Sequence, residues 1–179
     1  MAEIVASIEI SRRPEDVFPY VADPSHHPEW IESVVSVRRE DDAPLAVGSR
    51  VLATRRVGPR KVRYTEEMVE LHPPRTWANR GGGGIPVIAI AKGTVEPLDD
   101  GKRSRVTISC EFQGHGIGKL LVPLLVRRLA KQLPRDGQKL KEVLERGSLS
   151  GGRAPVHHDP AALSRVPDES GRDHEVRDE

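Results

Sequence analysis

The sequence predicts an α+β domain with a seven-stranded antiparallel sheet, two short helices after the first strand, and a long C-terminal helix. Three observations predict this fold class. In residues 3–10, apolar side chains recur at every second position, which is the period of a half-buried strand. Six further segments rich in β-branched residues follow, separated by turn-forming residues. Residues 118–146 carry apolar side chains at the spacings of three and four that are typical of a helix.

The two short helices are predicted from their end signals. Pro14 suits a first helical position, and the acidic Glu15 and Asp16 suit the positive end of the helix dipole. Pro19 lies early in this segment, so the helix must be short or distorted. It must end before Pro24, because the residue before a proline is displaced from the helical region. A second short helical turn is predicted over residues 25–30.

The six later strands are predicted to form a meander, because short turns separate them along the chain. In the strand over residues 61–71, both alternating faces contain apolar side chains, and a bulge would exchange them, so its inward face stays open. The C-terminal helix is expected to kink over 134–137, where a proline removes a hydrogen bond and a glycine follows. The predicted strand ranges are 34–38, 50–57, 61–71, 76–80, 87–96 and 105–112.

Composition narrows the classes of partner and compartment. The chain has 179 residues with a formal net charge of +1, so it lacks the basic excess of nucleic-acid-binding proteins, and no nucleic-acid partner is expected. Cys110 is the single cysteine, which excludes an internal disulfide and is typical of a reducing compartment. The N-terminal residues lack a signal-peptide pattern, and no stretch reaches the roughly 20 apolar residues of a membrane span. We therefore expect a cytoplasmic protein with no stable membrane insertion.

The composition changes at residue 147. Residues 147–179 are rich in glycine and proline and contain few large aliphatic side chains, so they are expected to be a disordered tail. This tail contains four arginines and seven acidic residues, a net charge of −3, which leaves a charge of +4 on residues 1–146. The predicted organisation is a folded, mildly basic domain over 1–146 followed by an acidic tail over 147–179.

An ordered set of residues extends from the first strand to the last helix. The set consists of Ile10, Pro14, Val17, Phe18, Val21, Ala22, Asp23, Pro28, Trp30, Gly48, Pro73, Pro74, Gly101, Arg105, Val106, Thr107, Leu140, Lys141, Leu144 and Glu145. In this order, these residues resemble the START-like (SRPBCC) superfamily, and within it the bacterial polyketide cyclase/dehydrase and lipid-transport group. The resemblance covers about residues 3–146.

The resemblance implies a helix-grip fold, in which a curved sheet wraps around the long helix and leaves an apolar cavity. In that family the cavity binds lipids, sterols, polyketides or similar molecules, and only some members are enzymes. The resemblance thus implies a small hydrophobic ligand. We further expect no cofactor and a monomer or homodimer. One alternative is a polyketide aromatase/cyclase or dehydratase that transfers protons within the cavity. Another is a non-catalytic protein-interaction module.

Candidate site residues follow from the predicted strands and the helix. Aromatic residues make up only 3% of the chain, so a cavity must be lined mainly by aliphatic side chains. This lining favours an apolar ligand over a planar ligand that stacks on rings. Candidates for acid–base catalysis are Glu111, His72 and Glu66. A metal site at His26 and His27 is not expected, because adjacent histidines on a turn point in different directions. The candidate ligand-binding residues are Trp30, His27, Tyr64, Met68, Trp77, Phe112, Leu121, Leu125 and Leu129.

Overall fold

A computed structural model of the chain describes residues 2–83 and 86–146, and the predicted tail over 147–179 lies outside the described residues. The elements occur in the predicted order, with a short 3₁₀ turn (Pro24–His26) between the first two helices. The bounds are β1 (Ala2–Ile10), α1 (Pro14–Ala22), α2 (His27–Trp30), β2 (Val34–Arg39), β3 (Arg50–Val57), β4 (Arg60–His72), β5 (Thr76–Gly82), β6 (Val87–Leu98), β7 (Arg103–Gly114) and α3 (Gly118–Arg146).

The seven strands form one antiparallel sheet in the order β1-β7-β6-β5-β4-β3-β2. Strands β2 to β7 pair as the predicted meander, and β1 pairs with β7 along its whole length. Consecutive strands β1 and β2 therefore lie at opposite edges, and the short helices carry the chain from one edge to the other. Helix α3 packs against β1, β7 and β6, so the curved sheet encloses it from one side.

Several boundaries differ from the sequence prediction. Strand β5 continues to Gly82, through two of the four glycines that predict a turn, because their backbones still pair with β4. Strand β7 begins at Arg103 and ends at Gly114, and so is longer at both ends. Helix α3 has the predicted bounds, Gly118–Arg146, and contains two prolines. It stays helical across residues 134–137, where the sequence predicts a kink.

The inward face of β4, which the sequence leaves open, is set by a bulge. Tyr64, Glu66 and Met68 share the inward face of the first part of the strand. The pairing register with β5 then shifts between Met68 and Glu70, and Leu71 takes the inward position beyond the shift. Met68 and Leu71 therefore both point inward, on opposite sides of the bulge, whereas Val69 between them is 42% exposed.

Two apolar clusters form the core. The first contains Phe18 and Trp77, whose rings meet edge to face with centroids 5.8 Å apart, together with Leu140 of α3. A methyl group on Gly93 would overlap the Trp77 ring, so the glycine leaves the space that this indole fills. The second cluster joins Ile4 and Phe112 of the sheet to the first half of α3.

The apolar run at the start of α3 is only partly a core stripe. Val122, Leu125, Val126, Leu129 and Leu133 pack against the second cluster. Its other apolar side chains face outward, and Leu120 is 80% exposed. Only one side of this run therefore contributes to the core. Within the described part of the chain, no helix is long and apolar enough to span a membrane.

Candidate functional site

An internal cavity of about 110 Å³ lies between the two core clusters, with the sheet on one side and α3 on the other. Most of its wall is apolar, because the inward residues of β1, β6 and β7 alternate with outward ones as the strand period requires. The apolar wall consists of Ile4, Val21, Trp30, Ile31, Trp77, Ala89, Ala91, Ile108, Phe112, Leu129 and Leu133.

Polar side chains from five elements of the fold line one part of the same cavity. Strand β3 supplies Arg55, and the neighbouring β4 supplies Tyr64 and Glu66, two positions apart and therefore on one face. We call these three residues, with His27 of α2, Asn79 of β5 and Asp136 of α3, the polar cluster. Burying such side chains in an apolar cavity lowers the stability of the folded protein unless they form hydrogen bonds.

Glu66 lies at the centre of the polar cluster, and its side chain is only 11% exposed. Its Oε1 accepts a hydrogen bond of 2.9 Å from the Tyr64 hydroxyl. Its Oε2 lies 3.7 Å from Nδ1 of His27, which is beyond hydrogen-bond distance. Both of these facing atoms, and Oδ1 of Asn79, are buried without a hydrogen-bond partner among the described residues. The cluster therefore has unused hydrogen-bonding capacity.

Burial sets the protonation states around Glu66. It lowers the pKa of His27, although the nearby Glu66 charge opposes this shift, so the imidazole is neutral at pH 7. Burial also raises the pKa of the Tyr64 hydroxyl, partly offset by the Arg55 charge, so Tyr64 remains a hydrogen-bond donor. Burial raises the pKa of the cavity-lining Cys110 to about 11, which leaves a protonated and poorly nucleophilic thiol.

Asp136 connects the cluster to the chain entering β2. Its Oδ1 accepts a 3.1 Å hydrogen bond from the backbone N–H of Glu32, and burial raises the pKa of its carboxyl group. Asp136 therefore holds α3 against the segment after α2. Within residues 2–83 and 86–146, no group of three or more His, Cys, Asp or Glu side chains is arranged to hold a metal ion.

The family model described as polyketide cyclase / dehydrase and lipid transport matches residues 1–145. The chain belongs to this family. The superfamily resemblance seen in the sequence is therefore confirmed. A comparison with curated proteins finds no match to this member of the family.

Solved structures similar to this family member confirm the predicted helix-grip fold. TTHA0849 from Thermus thermophilus is 18% identical with a TM-score of 0.67, covering 82% of this chain and 99% of that one. The Zhui aromatase/cyclase from a Streptomyces species is 15% identical with a TM-score of 0.66, covering 86% and 99%. A START superfamily protein from Mycobacterium smegmatis is 11% identical with a TM-score of 0.65, covering 80% and 97%.

The structure brings many of the sequence-predicted site residues together. Among the acid–base candidates, Glu66 lies in the cavity wall, whereas His72 is exposed and Glu111 forms a 3.0 Å ion pair with Lys92. Met68 lies in the first core cluster, and Leu121 is 37% exposed. Leu125 lines a space next to the cavity. The predicted ligand-binding residues in the cavity wall are Trp30, His27, Tyr64, Trp77, Phe112 and Leu129.

Three members of the polar cluster are absent from the sequence prediction, namely Arg55, Asn79 and Asp136. Periodicity places each of them on the inward face of its element, but a polar or charged side chain at such a position is normally assigned to the solvent. Arg55 continues the inward alternation of two buried residues on β3, and Asn79 follows Trp77 by two positions on β5. Asp136 lies four residues before the buried Leu140, on the same face of α3.

The buried His27 predicts a specific dependence of stability on pH. Because its pKa is lowered in the folded protein, the unfolded chain binds a proton at His27 below about pH 6.5 that the folded protein does not bind. This histidine therefore makes the free energy of unfolding fall as the pH falls, by up to about 1.4 kcal/mol per pH unit. Urea unfolding between pH 7.5 and 5.5 measures this slope.

We expect His27→Gln to have a shallower slope than the wild type, whatever its stability at pH 7.5. The matched control is His72→Gln, which removes an exposed histidine and should keep the wild-type slope. Equal slopes for the wild type and His27→Gln would contradict the assignment of His27 as a buried neutral imidazole.

Proposed function

We propose that the protein binds a small, largely apolar molecule that carries a hydrogen-bonding oxygen group. The observation that supports this most is the coexistence of an apolar wall with buried, unpartnered polar atoms in one cavity. Each such atom costs about 1–3 kcal/mol when it stays unsatisfied. A purely apolar ligand would leave this cost in place, whereas a ligand hydroxyl or carbonyl next to Glu66 and His27 would remove part of it.

The size of the cavity limits which part of the ligand can occupy it. An engineered cavity of about 150 Å³ holds benzene, and typical ligand sites measure about 300–1,000 Å³. A space of about 110 Å³ therefore takes one ring or a short alkyl segment. An adjoining space of about 90 Å³, lined by Val62, Val87, Leu125 and other residues, offers room for the next part of the ligand.

The proposal includes a cytoplasmic role in carrying such a molecule in a bacterium. The family description includes lipid transport, and the three similar structures named above come from bacteria. The protonated Cys110 thiol is compatible with a reducing compartment. A monomer or a homodimer would serve this role equally, because the described cavity is built from one chain.

Ligand binding can be tested by isothermal titration calorimetry with 4-methylphenol, a single ring that carries a hydroxyl group. The wild type should give a saturable heat of binding. Ala91→Leu adds a bulky side chain to the cavity wall and should weaken the affinity at least tenfold, because little space remains. Ile90→Leu changes the neighbouring residue on the same strand, outside the cavity wall, and should bind like the wild type. Equal binding by all three proteins, or none by the wild type, would contradict the proposal.

A second candidate function is proton transfer of the polyketide cyclase or dehydratase type. The observation that favours it is the unpartnered Oε2 of Glu66, which can accept a proton from a carbon next to a ligand carbonyl. Arg55 supplies positive charge in the same cluster, and such charge stabilises the enolate formed when the proton leaves. The similar Zhui structure is described as an aromatase/cyclase.

Proton transfer can be measured as deuterium exchange at the carbons next to the carbonyl of 2-heptanone, followed by NMR in D₂O. The wild type should accelerate exchange over buffer, and Glu66→Gln should lose at least about 100-fold of that acceleration. Glu67→Gln is the matched control, because its side chain is 41% exposed and pairs with Arg50 at 3.1 Å. If the wild type and Glu66→Gln exchange at the same rate, Glu66 is not a base and only the binding proposal remains.

A further inference from the structure

A groove of about 340 Å³ runs along the outer side of the cavity, between α3 and the end of β3. Its charged wall is strongly unbalanced, since it contains five cationic side chains and one acidic residue, Glu32. We call this feature the basic groove. Its cations are Arg55, Arg56, Arg128, Lys131 and Arg135.

Several cations outside the basic groove are neutralised by carboxylates. Arg50, Lys92 and Arg103 each pair with a carboxylate at 2.7–3.1 Å. None of the five groove cations forms an ion pair with a described residue. The turn at Gly58 also packs close to the guanidinium of Arg128, so the β3–β4 hairpin forms one wall of the groove. Clustered cations without ion-pair partners repel one another, and a bound anion would relieve this repulsion.

The basic groove adjoins the ligand cavity. Arg55 and Leu129 line the cavity, the groove and the space of about 90 Å³ that lies next to them. Val57 and Leu125 line both the groove and this space. The inner cavity has room for one ring or a short alkyl segment. A longer ligand whose apolar end lies there must extend out of the cavity. Its remaining part then extends past Arg55 and Leu129 toward the cations.

We infer that the basic groove binds an anionic head group, a phosphate or a carboxylate, on the ligand whose apolar end occupies the cavity. The inference rests on the proposed binding function and narrows the ligand to an amphipathic anion. Arginine guanidinium groups bind both anions through paired hydrogen bonds, and Lys131 adds a compact positive charge. The apolar wall supplies most of the affinity, and the groove fixes which end of the ligand points outward.

The test compares three ligands with the same eight-carbon chain, namely octyl phosphate, octanoate and 1-octanol, by isothermal titration calorimetry with the full-length protein. At low salt, at least one of the two anions should bind the wild type at least tenfold more tightly than 1-octanol. This difference should shrink in 0.5 M NaCl, because salt screens the exposed cations. The anion that binds more tightly identifies the head group.

The variant Arg128→Gln/Lys131→Gln should lose most of the difference between anion and alcohol while binding 1-octanol like the wild type. Both side chains are exposed, so the fold should be unaffected. The matched control is Arg127→Gln, an exposed cation on the same helix outside the groove, and it should behave like the wild type.

Three results would overturn the inference. Equal affinities of the wild type for the anions and for 1-octanol would overturn it and leave the proposed binding function intact. Binding of inorganic phosphate as tight as that of octyl phosphate would assign the groove to a free anion instead of an amphipathic ligand. Binding of none of the three eight-carbon ligands would overturn both proposals.

Discussion

The cost of burying charge in an apolar space is the constraint on which this site depends. Strand alternation places Tyr64 and Glu66 on the inward face of β4, and the bulge after Met68 keeps the core closed beyond them. The Tyr64 hydroxyl satisfies one oxygen of Glu66, while the other oxygen and the facing nitrogen of His27 stay 3.7 Å apart without a partner. A stable apolar core does not require these groups. Their position is the basis for our proposal that a polar atom of a ligand lies beside them.

The distribution of charge extends this argument from the cavity to the surface. The net charge of +1 describes the chain as a whole, but α3 and β3 concentrate unpaired cations along one groove. Arg55 belongs to both features, since it lines the apolar cavity and the basic groove. A single ligand with an apolar end, an oxygen near Glu66 and an anionic outer end would match all three environments. From the core outward, the ligand-facing side chains thus change from the apolar wall, to the polar cluster, to the cations of the basic groove.

Much of the fold could be predicted from the sequence, because strand period, turn residues and helix end signals are local properties. The inward face of β4 could not, since it depends on a register shift against β5 that no local pattern fixes. For the same reason Glu66 could be predicted only as one of several acid–base candidates. Arg55 and Asp136 follow the inward periodicity of their elements, but charged residues at such positions are normally assigned to the solvent. Their burial becomes evident only when α3 lies against the sheet.

We propose that this cavity holds a small, largely apolar molecule in the cell. Native mass spectrometry of the protein purified from its own host tests that claim most directly. We expect a non-covalent complex whose added mass is that of one small molecule, released on denaturation and identified as an amphipathic compound. Protein that is free of ligand as purified, and that stays free after incubation with a panel of lipids and polyketides, would contradict it.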